Sequence, residues 1–476
     1  MSMKIVRKVC FCLLLLLAAA WTEPLQATRI EGTALFAKNG KLRLYTYDDM
    51  MSRNRQLIAE AEVDAAGRFS LFLPDIREVT MVTFAYNLSY GSFYVEPNRT
   101  YEVDLYTDST LINRVDAEIL GNYIQITCLN NDSNELNWKI NYFDQYYTYF
   151  MYYNGTAIMR HAPREVYDSL LQVIERRFPV PDQPVGFYEV YVKYKIGIIE
   201  SMYYDKSKSK VYQKYLETPY VHYNNPAYMD FIGIFFEDYL YSGSKKITKG
   251  ILYQDINELN NYYKLLDDLG KDPLLQNEII RELVLIRGLG ELKAYPEEFR
   301  VANLKSLLET LGKKTKFKEH RMLANNQLKS FSTMAPQTRL LPFNLTDEKG
   351  ERVSSSQFAG KYLYIQFFAT YCQDCIREMV ILKYLKSQFG DKVQFLSVML
   401  DFEPMKLYHF VRDYPDFDWQ FAKTDGQYDF LEQYNLYSLP LGMLVDPEGK
   451  IIAYPAPPAS DGLGDLLQRT LILNNK

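Results

Sequence analysis

The first hundred or so residues alternate apolar and polar positions, which is the pattern of strands with one buried face. Three sets of positions show it: Leu42, Leu44 and Thr46; Phe69, Leu71 and Leu73; Tyr101, Val103 and Leu105. Turn-forming residues at 38–40, 64–67 and 96–99 separate the runs. The pattern predicts an N-terminal antiparallel β domain over residues 28–108, built as a small sandwich or partial barrel.

From about residue 109 the apolar period becomes helical. Two apolar series recur three and four apart: Val166, Leu170, Val173, Ile174 and Phe178; Val301, Leu304, Leu307, Leu308 and Leu311. Pro163 and Pro296 precede these series, and Gly312 follows the second. We predict a middle all-α domain over residues 109–331 without an internal repeat.

A polar linker at 330–337 precedes a C-terminal segment in which strand and helix patterns alternate, which predicts an α/β domain with a mainly parallel sheet over residues 332–476. The expected elements are strands Tyr362–Phe368 and Val393–Met399, helices Ile376–Phe389 and Phe402–Asp413, a hairpin of Gly442–Val445 with Ile451–Tyr454, and a last helix Leu463–Leu471. The fold class is thus multidomain.

The chain begins with a targeting pattern. Lys4, Arg7 and Lys8 precede a short apolar run from Val9 to Ala20. Such a run is typical of a secretory signal peptide and is too short to span a bilayer. We predict a signal peptide over residues 1–27, cleaved after Ala20 or Ala27, and therefore a protein of the periplasm or cell envelope.

Composition and charge narrow the function classes. The formal net charge is −5 and no basic arm stands out, which argues against a nucleic-acid partner. The 41 tyrosines, dense between about 140 and 265, suit half-buried helix faces and binding surfaces alike; we favour helix packing. Of five cysteines, only Cys128, Cys372 and Cys375 lie beyond the leader, which is too few for a disulfide scaffold.

Cys372 and Cys375 stand where a predicted buried strand passes into a helix. A thiolate at a helix N-terminus faces unpaired amide groups, which lowers its pKa, and the two-residue spacer places both sulfurs on the first turn. The solvent-side Cys372 should attack and the more buried Cys375 should resolve the mixed disulfide.

Two other interpretations of this pair are an inert bridge and a metal clip. A zinc site needs four ligands, and the sequence has neither a second such pair nor paired histidines, so we expect no metal and no cofactor. Cys128 lies in an apolar stretch and is predicted to be a buried core thiol.

Two segments carry a resemblance to the thioredoxin superfamily. Residues 366–372 (QFFATYC) resemble its strand and elbow, and residues 434–440 (YNLYSLP) resemble its cis-proline loop. The opening at 341–347 (LPFNLTD) is similar to the exported subgroup related to ResA and TlpA, here in a Bacteroidetes-type multidomain form. The resemblance implies a thioredoxin-like fold and thiol–disulfide oxidoreductase activity on exported proteins. It also implies that Pro440 packs beside the disulfide and that the backbone of Leu439 pairs with the substrate.

Three residues depart from the family pattern. Tyr371 replaces the usual Trp, Asp374 replaces the usual Pro of the spacer, and Gln366 stands where many relatives have a buried acid. The Asp374 carboxylate should raise the thiol pKa by like charge and favour the disulfide. We therefore expect a reductant, with a potential nearer the thioredoxin value of about −270 mV than the DsbA value of about −120 mV. Gln366 cannot accept a proton from the resolving thiol.

A non-enzymatic alternative stays open at this point: an envelope binding or assembly module whose thioredoxin-like domain is a platform. A thiol peroxidase is disfavoured because Thr370 alone does not make a peroxide site. The enzyme hypothesis implies exported protein thiols or disulfides as clients and a membrane or envelope electron donor. The sequence does not indicate the oligomeric state.

Overall fold

The computed structural model describes residues 27–86, 89–107, 123–130, 134–204, 207–218, 220–244, 246–332, 338–401, 405–424, 434, 436 and 439–473. The predicted signal peptide lies outside the described residues except for Ala27. Two compact units are present. The N-terminal unit comprises the described residues up to 86, 91–106 and 124–237, and the C-terminal unit chiefly those from 238 onward.

The order of architectures along the chain is β-sheet, then helices, then an α/β domain with a central sheet. This order confirms the predicted multidomain fold class. The domain limits at 28–108, 109–331 and 332–476 stay a prediction.

Eight strands form two four-stranded sheets near the start of the chain, with the orders β4-β1-β7-β8 and β3-β2-β5-β6. The strands are β1 (Thr28–Ala34), β2 (Lys41–Tyr47), β3 (Arg55–Glu62), β4 (Arg68–Leu73), β5 (Thr80–Tyr86), β6 (Ser89–Val95), β7 (Thr100–Thr107) and β8 (Ile124–Cys128). The apolar positions predicted to face inward are buried in one core, with Thr46 half-buried at its margin. Alternation therefore identified the buried faces correctly.

Two features of these sheets differ from the sequence prediction. Strand β1 pairs antiparallel with β4 but parallel with β7, so the β region is not wholly antiparallel. A period of two specifies which face is buried but not the direction of the neighbouring strand. The second difference is β8, which lies in the range predicted to be helical and adds to the first sheet.

The N-terminal strand β1 sits between two neighbours and is tightly enclosed. A Cβ on Gly32 would lie 1.8 Å from the carbonyl oxygen of Val103, so only glycine fits there. At the start of the strand, Thr28 is 1% exposed and its hydroxyl donates to the carbonyl of Glu96 at 2.9 Å. The strand is thus part of the core from its first residue.

Among the described residues of the N-terminal unit, the α-helices are α1 (Leu136–Met159), α2 (Arg164–Arg177), α3 (Phe187–Tyr203), α4 (Lys208–Tyr215) and α5 (Pro226–Phe235). In α2 the buried face is Tyr167 and Ile174, continued by Phe178. Val166 and Val173, predicted to face inward, are 47% and 51% exposed. The prediction was right for Ile174 and Phe178 and wrong for the two valines, because Tyr167, with its large ring, takes a place on the buried face.

Five further helices belong to the C-terminal unit: α6 (Lys249–Tyr253), α7 (Tyr262–Leu269), α8 (Glu278–Glu291), α9 (Val301–Lys314) and α10 (Lys318–Ser332). The predicted apolar face of α9 is buried at Leu304, Leu307, Leu308 and Leu311. Helix α8 is buried along most of its length, so the three helices α8, α9 and α10 pack around a shared apolar centre.

The rest of the C-terminal unit holds a seven-stranded sheet in the order β10-β9-β13-β12-β11-β14-β15. Its strands are β9 (Asn344–Thr346), β10 (Arg352–Ser354), β11 (Tyr362–Phe368), β12 (Val393–Met399), β13 (Gln420–Lys423), β14 (Leu441–Val445) and β15 (Ile451–Ala456). Strands β11, β12 and β13 run parallel to one another. The pairs β10–β9, β9–β13, β11–β14 and β14–β15 are antiparallel. The sheet is therefore mixed, and the prediction of a mainly parallel sheet holds for its centre alone.

In the part of this domain that the structure describes, the helices beside the sheet are α11 (Gln373–Phe389), α12 (Met405–Asp413) and α13 (Leu463–Leu473). The two central strands have the predicted bounds, whereas α11 begins three residues earlier than predicted. Within the described part of the chain, no helix combines the length and apolar character needed to cross a membrane.

The tyrosines of the helical region fall into two groups. One group is buried: Tyr167, Tyr191, Tyr194, Tyr215, Tyr228, Tyr239 and Tyr262. The other is exposed and includes Tyr149, Tyr152 and Tyr153 on α1. Helix packing thus accounts for the first group, as expected, but not for the second.

Candidate redox site

The chain passes from β11 into α11 through a short turn that carries both cysteines. Cys372 is the N-cap of α11, and its sulfur is bonded to that of Cys375. The backbone N–H of Cys375 also donates to Sγ of Cys372 at 3.1 Å. The pair therefore sits at the positive end of the helix dipole, where a thiolate is stabilised.

Both sulfurs are less accessible than the sequence led us to expect. Cys372 is 3% exposed and Cys375 is fully buried. The order of exposure agrees with attack at Cys372, but the expectation of an open Cys372 was wrong. Apolar side chains of the surrounding core cluster pack around the bridge, and half-buried Tyr371 packs against that cluster.

The loop predicted to face the disulfide is present where its residues are described. The peptide bond between Leu439 and Pro440 is cis, as the resemblance implied. Leu439 is buried in the same core cluster as Cys372 and Cys375. The fold thus gathers Cys372, Cys375, Tyr371 and Leu439 in one place, while Asn435, Tyr437 and Ser438 of the loop lie outside the described residues.

Asp374 is oriented away from the core. Its side chain is 67% exposed and its carboxylate pairs with the guanidinium of Arg377, one turn along α11. An exposed carboxylate with a cationic partner exerts a screened field. The like-charge effect on the thiol that we expected from Asp374 is weakened accordingly.

Gln366 is buried on β11 and belongs to a short polar chain. Trp419 Nε1 donates to the hydroxyl of Ser397 at 2.9 Å, and that hydroxyl donates to Oε1 of Gln366 at 3.4 Å. The amide therefore has a structural partner on the neighbouring strand β12. It supplies no group that can take a proton at neutral pH.

Sequence reasoning missed Asp401, which follows β12. Its carboxylate accepts two hydrogen bonds from Thr370, one from the backbone N–H and one from the hydroxyl, both at 2.7 Å. Lys406 Nζ lies 3.3 Å from the same carboxylate, whose side chain is fully buried. The available signal was its place after a strand parallel to β11, since the carboxyl ends of parallel strands share one edge.

Cys128 belongs to the N-terminal unit and to a different sheet from the cysteine pair. Cys128 ends β8 and is buried, as predicted, and burial raises the pKa of its thiol to about 11. Such a thiol is a poor nucleophile at neutral pH. Among the described residues, no group of three or more His, Cys, Asp or Glu side chains is placed to hold a metal ion.

Comparison with known proteins identifies the region around the disulfide. The Redoxin family model matches residues 323–466. The C-terminal part of the chain is a Redoxin domain. This domain contains the cysteine pair, the cis peptide and Asp401.

One relative and two solved structures are similar to parts of this chain. The thiol-disulfide oxidoreductase ResA of Bacillus thuringiensis is 28% identical over 111 residues, which are 23% of this chain and 63% of that protein. A thiol-disulfide oxidoreductase from Bacteroides fragilis is 24% identical, covering 28% of this chain and 99% of the other, with a TM-score of 0.25. A thioredoxin-like protein from Bacteroides caccae is 17% identical, covering 49% of this chain and 86% of the other, with a TM-score of 0.30.

Proposed function

We propose that this protein is a thiol–disulfide oxidoreductase acting on exported proteins, with Cys372 as nucleophile and Cys375 as resolving thiol. The observation that carries the proposal is the Cys372–Cys375 bridge at the start of α11, in one cluster with Leu439 of the cis peptide. The Redoxin match over residues 323–466 supports it. The backbone of Leu439 would hold the substrate strand, with Pro440 shaping the groove and Tyr371 supporting it.

The exchange has two steps. The Cys372 thiolate attacks a sulfur of the client disulfide, whose S–S bond breaks, and the departing client thiolate takes up a proton. Cys375 then loses its proton and attacks Sγ of Cys372, which forms the Cys372–Cys375 bond and releases the second client thiolate. The client gains two electrons and two protons, so a dithiol donor must reduce the pair before the next cycle.

We propose that the protein acts as a reductant. The N-cap position stabilises the Cys372 thiolate only in part, because the buried Asp401 carboxylate, which holds Thr370 two residues before Cys372, opposes it. The exposed Asp374 carboxylate adds a weaker, screened charge. A less stabilised thiolate favours the disulfide and makes the dithiol a better electron donor.

The place of action follows from the leader. A signal peptide over residues 1–27 would export the protein to the periplasm or cell envelope, where its clients would be exported proteins. Its electron donor would be a membrane or envelope dithiol protein, and no metal or cofactor would take part. The N-terminal β region and the helices would select location and client.

A second candidate is favoured by one observation. Cys372 is 3% exposed, which suits a structural bridge inside a binding or assembly module as well as it suits a redox pair. In that case the thioredoxin-like domain would be a platform, and reduction of the bridge would have no client.

The reduction potential separates the two candidates. The mature protein is equilibrated with thiol buffers of stepped ratio, free thiols are trapped, and Cys372→Ser serves as the control. A reversible two-electron couple below roughly −230 mV supports the reductant, and one near −120 mV supports an oxidant instead. A bridge that is reduced only when the protein unfolds would support the platform and sink the enzyme.

A further inference from the structure

We infer that Asp401 is a positioning residue of the redox pair: its buried carboxylate fixes the turn before Cys372 through Thr370 and opposes the Cys372 thiolate by its charge. The inference deepens the proposed function and rests on it. Asp401 lies outside the Cys-x-x-Cys motif and acts on the pair through Thr370.

Asp401 fixes the geometry of the turn before Cys372. Thr370 stands two residues before Cys372, at the point where the chain leaves β11. Both of its donors, the backbone N–H and the hydroxyl, end on the one carboxylate of Asp401 at 2.7 Å. The next backbone bond of the turn runs from the N–H of Cys372 to the carbonyl of Ala369 at 3.0 Å. Asp401 thus anchors one end of a turn whose other end is the nucleophile.

Asp401 is itself held in place by the sheet. The backbone N–H of Leu400 donates to the carbonyl of Phe368 at 2.9 Å, so the ends of β11 and β12 are joined one residue before Asp401. The Asp401 side chain is fully enclosed. A buried carboxylate held by charge-assisted hydrogen bonds has little freedom to move. The ends of β11 and β12 therefore fix Asp401, and Asp401 fixes the turn before Cys372.

The charge of Asp401 also acts on the nucleophile. Burial, with the charge of Asp401 as the next cause, raises the pKa of the Tyr371 hydroxyl to about 12, so the field of this carboxylate reaches the residue next to the nucleophile. A thiolate at Cys372 meets the same negative charge in a medium that screens it poorly. Lys406 offsets the charge from the solvent side.

Other charged groups around the turn have partners of their own. Asp374 pairs with Arg377 at the surface of α11. Glu378, one turn beyond Cys375, accepts hydrogen bonds from the backbone N–H and the hydroxyl of Ser460. Their effects are present in every variant of Asp401, so a difference between variants reports Asp401.

The test measures the titration of the Cys372 thiol directly. In the full chain carrying Cys375→Ser, the rate of alkylation by iodoacetamide is followed against pH, with and without Asp401→Asn. Asparagine can keep both contacts with Thr370, accepting from the N–H and donating to the hydroxyl, while it removes the charge. We expect the midpoint to fall by about one pH unit, a tenfold change in the acid dissociation constant, with the melting temperature unchanged.

A variant of opposite sign keeps the test decisive if the asparagine variant does not fold. Lys406→Gln leaves the carboxylate without this counter-charge at a part-exposed position, so the midpoint should rise. Thr370→Val removes one of the two contacts and should destabilise the turn, and Thr370→Ser should restore it. The control is Asp416→Asn, which removes an exposed partner of Lys383 and should leave the midpoint where it was.

Equal midpoints in the parent, Asp401→Asn and Lys406→Gln would overturn the inference, as would a lower melting temperature without a shift in midpoint. The reduction potential of the intact pair supplies a second measurement. If the equilibrium between disulfide and dithiol shifts tenfold toward the dithiol, the reduction potential rises by about 30 mV. Failure of the proposed function looks different: the midpoint shifts as expected, but the wild-type protein reduces no disulfide substrate.

Discussion

The hydroxyl of Tyr434 accepts a hydrogen bond from the backbone N–H of Leu341 at 2.7 Å, across 93 residues of sequence. Tyr434 is fully buried and begins the segment that leads to the cis peptide, and Leu341 stands at the opening of the thioredoxin-like fold. The start of this fold is therefore held directly to Tyr434, which precedes the cis peptide by a few residues.

Tyr434→Phe should lower stability without changing the shape of the core. It removes the acceptor and leaves the N–H of Leu341 unsatisfied, which costs about 1–3 kcal/mol. The free energy of unfolding by urea measures the loss. Tyr384→Phe, on the exposed side of α11, should be neutral. Equal stability of the two variants would show that water satisfies the N–H of Leu341.

Glu282 on α8 should be among the most sensitive positions of the helical region. Its buried carboxylate accepts hydrogen bonds from the hydroxyls of Thr315 and Tyr262 and lies 2.9 Å from Nδ1 of His320. Glu282→Ala should cost about 3–5 kcal/mol, because the buried partners lose their acceptor. The matched control is Glu309→Ala, which breaks an exposed pair with Lys313 and should cost less than about 1 kcal/mol.

The same carboxylate predicts a pH dependence. Burial alone would raise the pKa of Glu282, but hydrogen bonds from His320 and Thr315 lower it below its ordinary value of 4.5. Its contribution to stability is therefore present above that pH and is lost as pH falls through the lowered pKa. Thermal unfolding of wild type and Glu282→Gln between pH 3 and 7 should diverge as pH rises. Parallel curves would contradict the assignment.

At Asp255 we expect a pH dependence of stability with the opposite sign. Burial, then the hydrogen bond and charge of Asp268, raise its pKa from 3.8 to about 6. Between these two pH values the folded state keeps the Asp255 proton and the unfolded state has lost it. The stability contributed by this proton is therefore complete below about pH 3.8 and is lost as pH rises through 6. The free energy of unfolding of Asp255→Asn should match that of wild type near pH 4 and exceed it near pH 8. If Asp255→Asn is less stable than wild type at pH 8, the assignment of a raised pKa to Asp255 is wrong.

The two cysteines should differ in what they trap. With a peptide disulfide, Cys375→Ser should accumulate a mixed disulfide at Cys372, because the resolving thiol is missing. Cys372→Ser should form none, since Cys375 is fully buried. Mass spectrometry of the alkylated products reads both outcomes. Equal adducts at Cys372 and Cys375 would remove the assigned roles.

The sequence predicted the elements whose pattern is local. Strands β11 and β12 were found at their true bounds because each is a continuous apolar run between turn residues. The start of α11 was missed because the helix begins at its capping cysteine, before any apolar position marks it. Local pattern also misled in α2, where Tyr167 displaced the valines from the buried face.

What could not be predicted depends on residues far apart in the chain. Asp401 and Thr370 are separated by 31 positions, and Glu282 and His320 by 38. Each acid is unremarkable in its own segment, and only the packing of strand on strand or helix on helix gives it partners. The parallel pairing of β1 with β7 was hidden for the same reason.

The burial of Thr28 bears on the two proposed cleavage sites of the signal peptide. Cleavage after Ala27 would create a charged α-amino group on a residue that is 1% exposed, and burying an unpaired cation is costly. Cleavage after Ala20 would leave seven residues between the new terminus and β1 and keep that charge in water. If a signal peptide is removed as proposed, the enclosed first strand therefore favours cleavage after Ala20 over cleavage after Ala27.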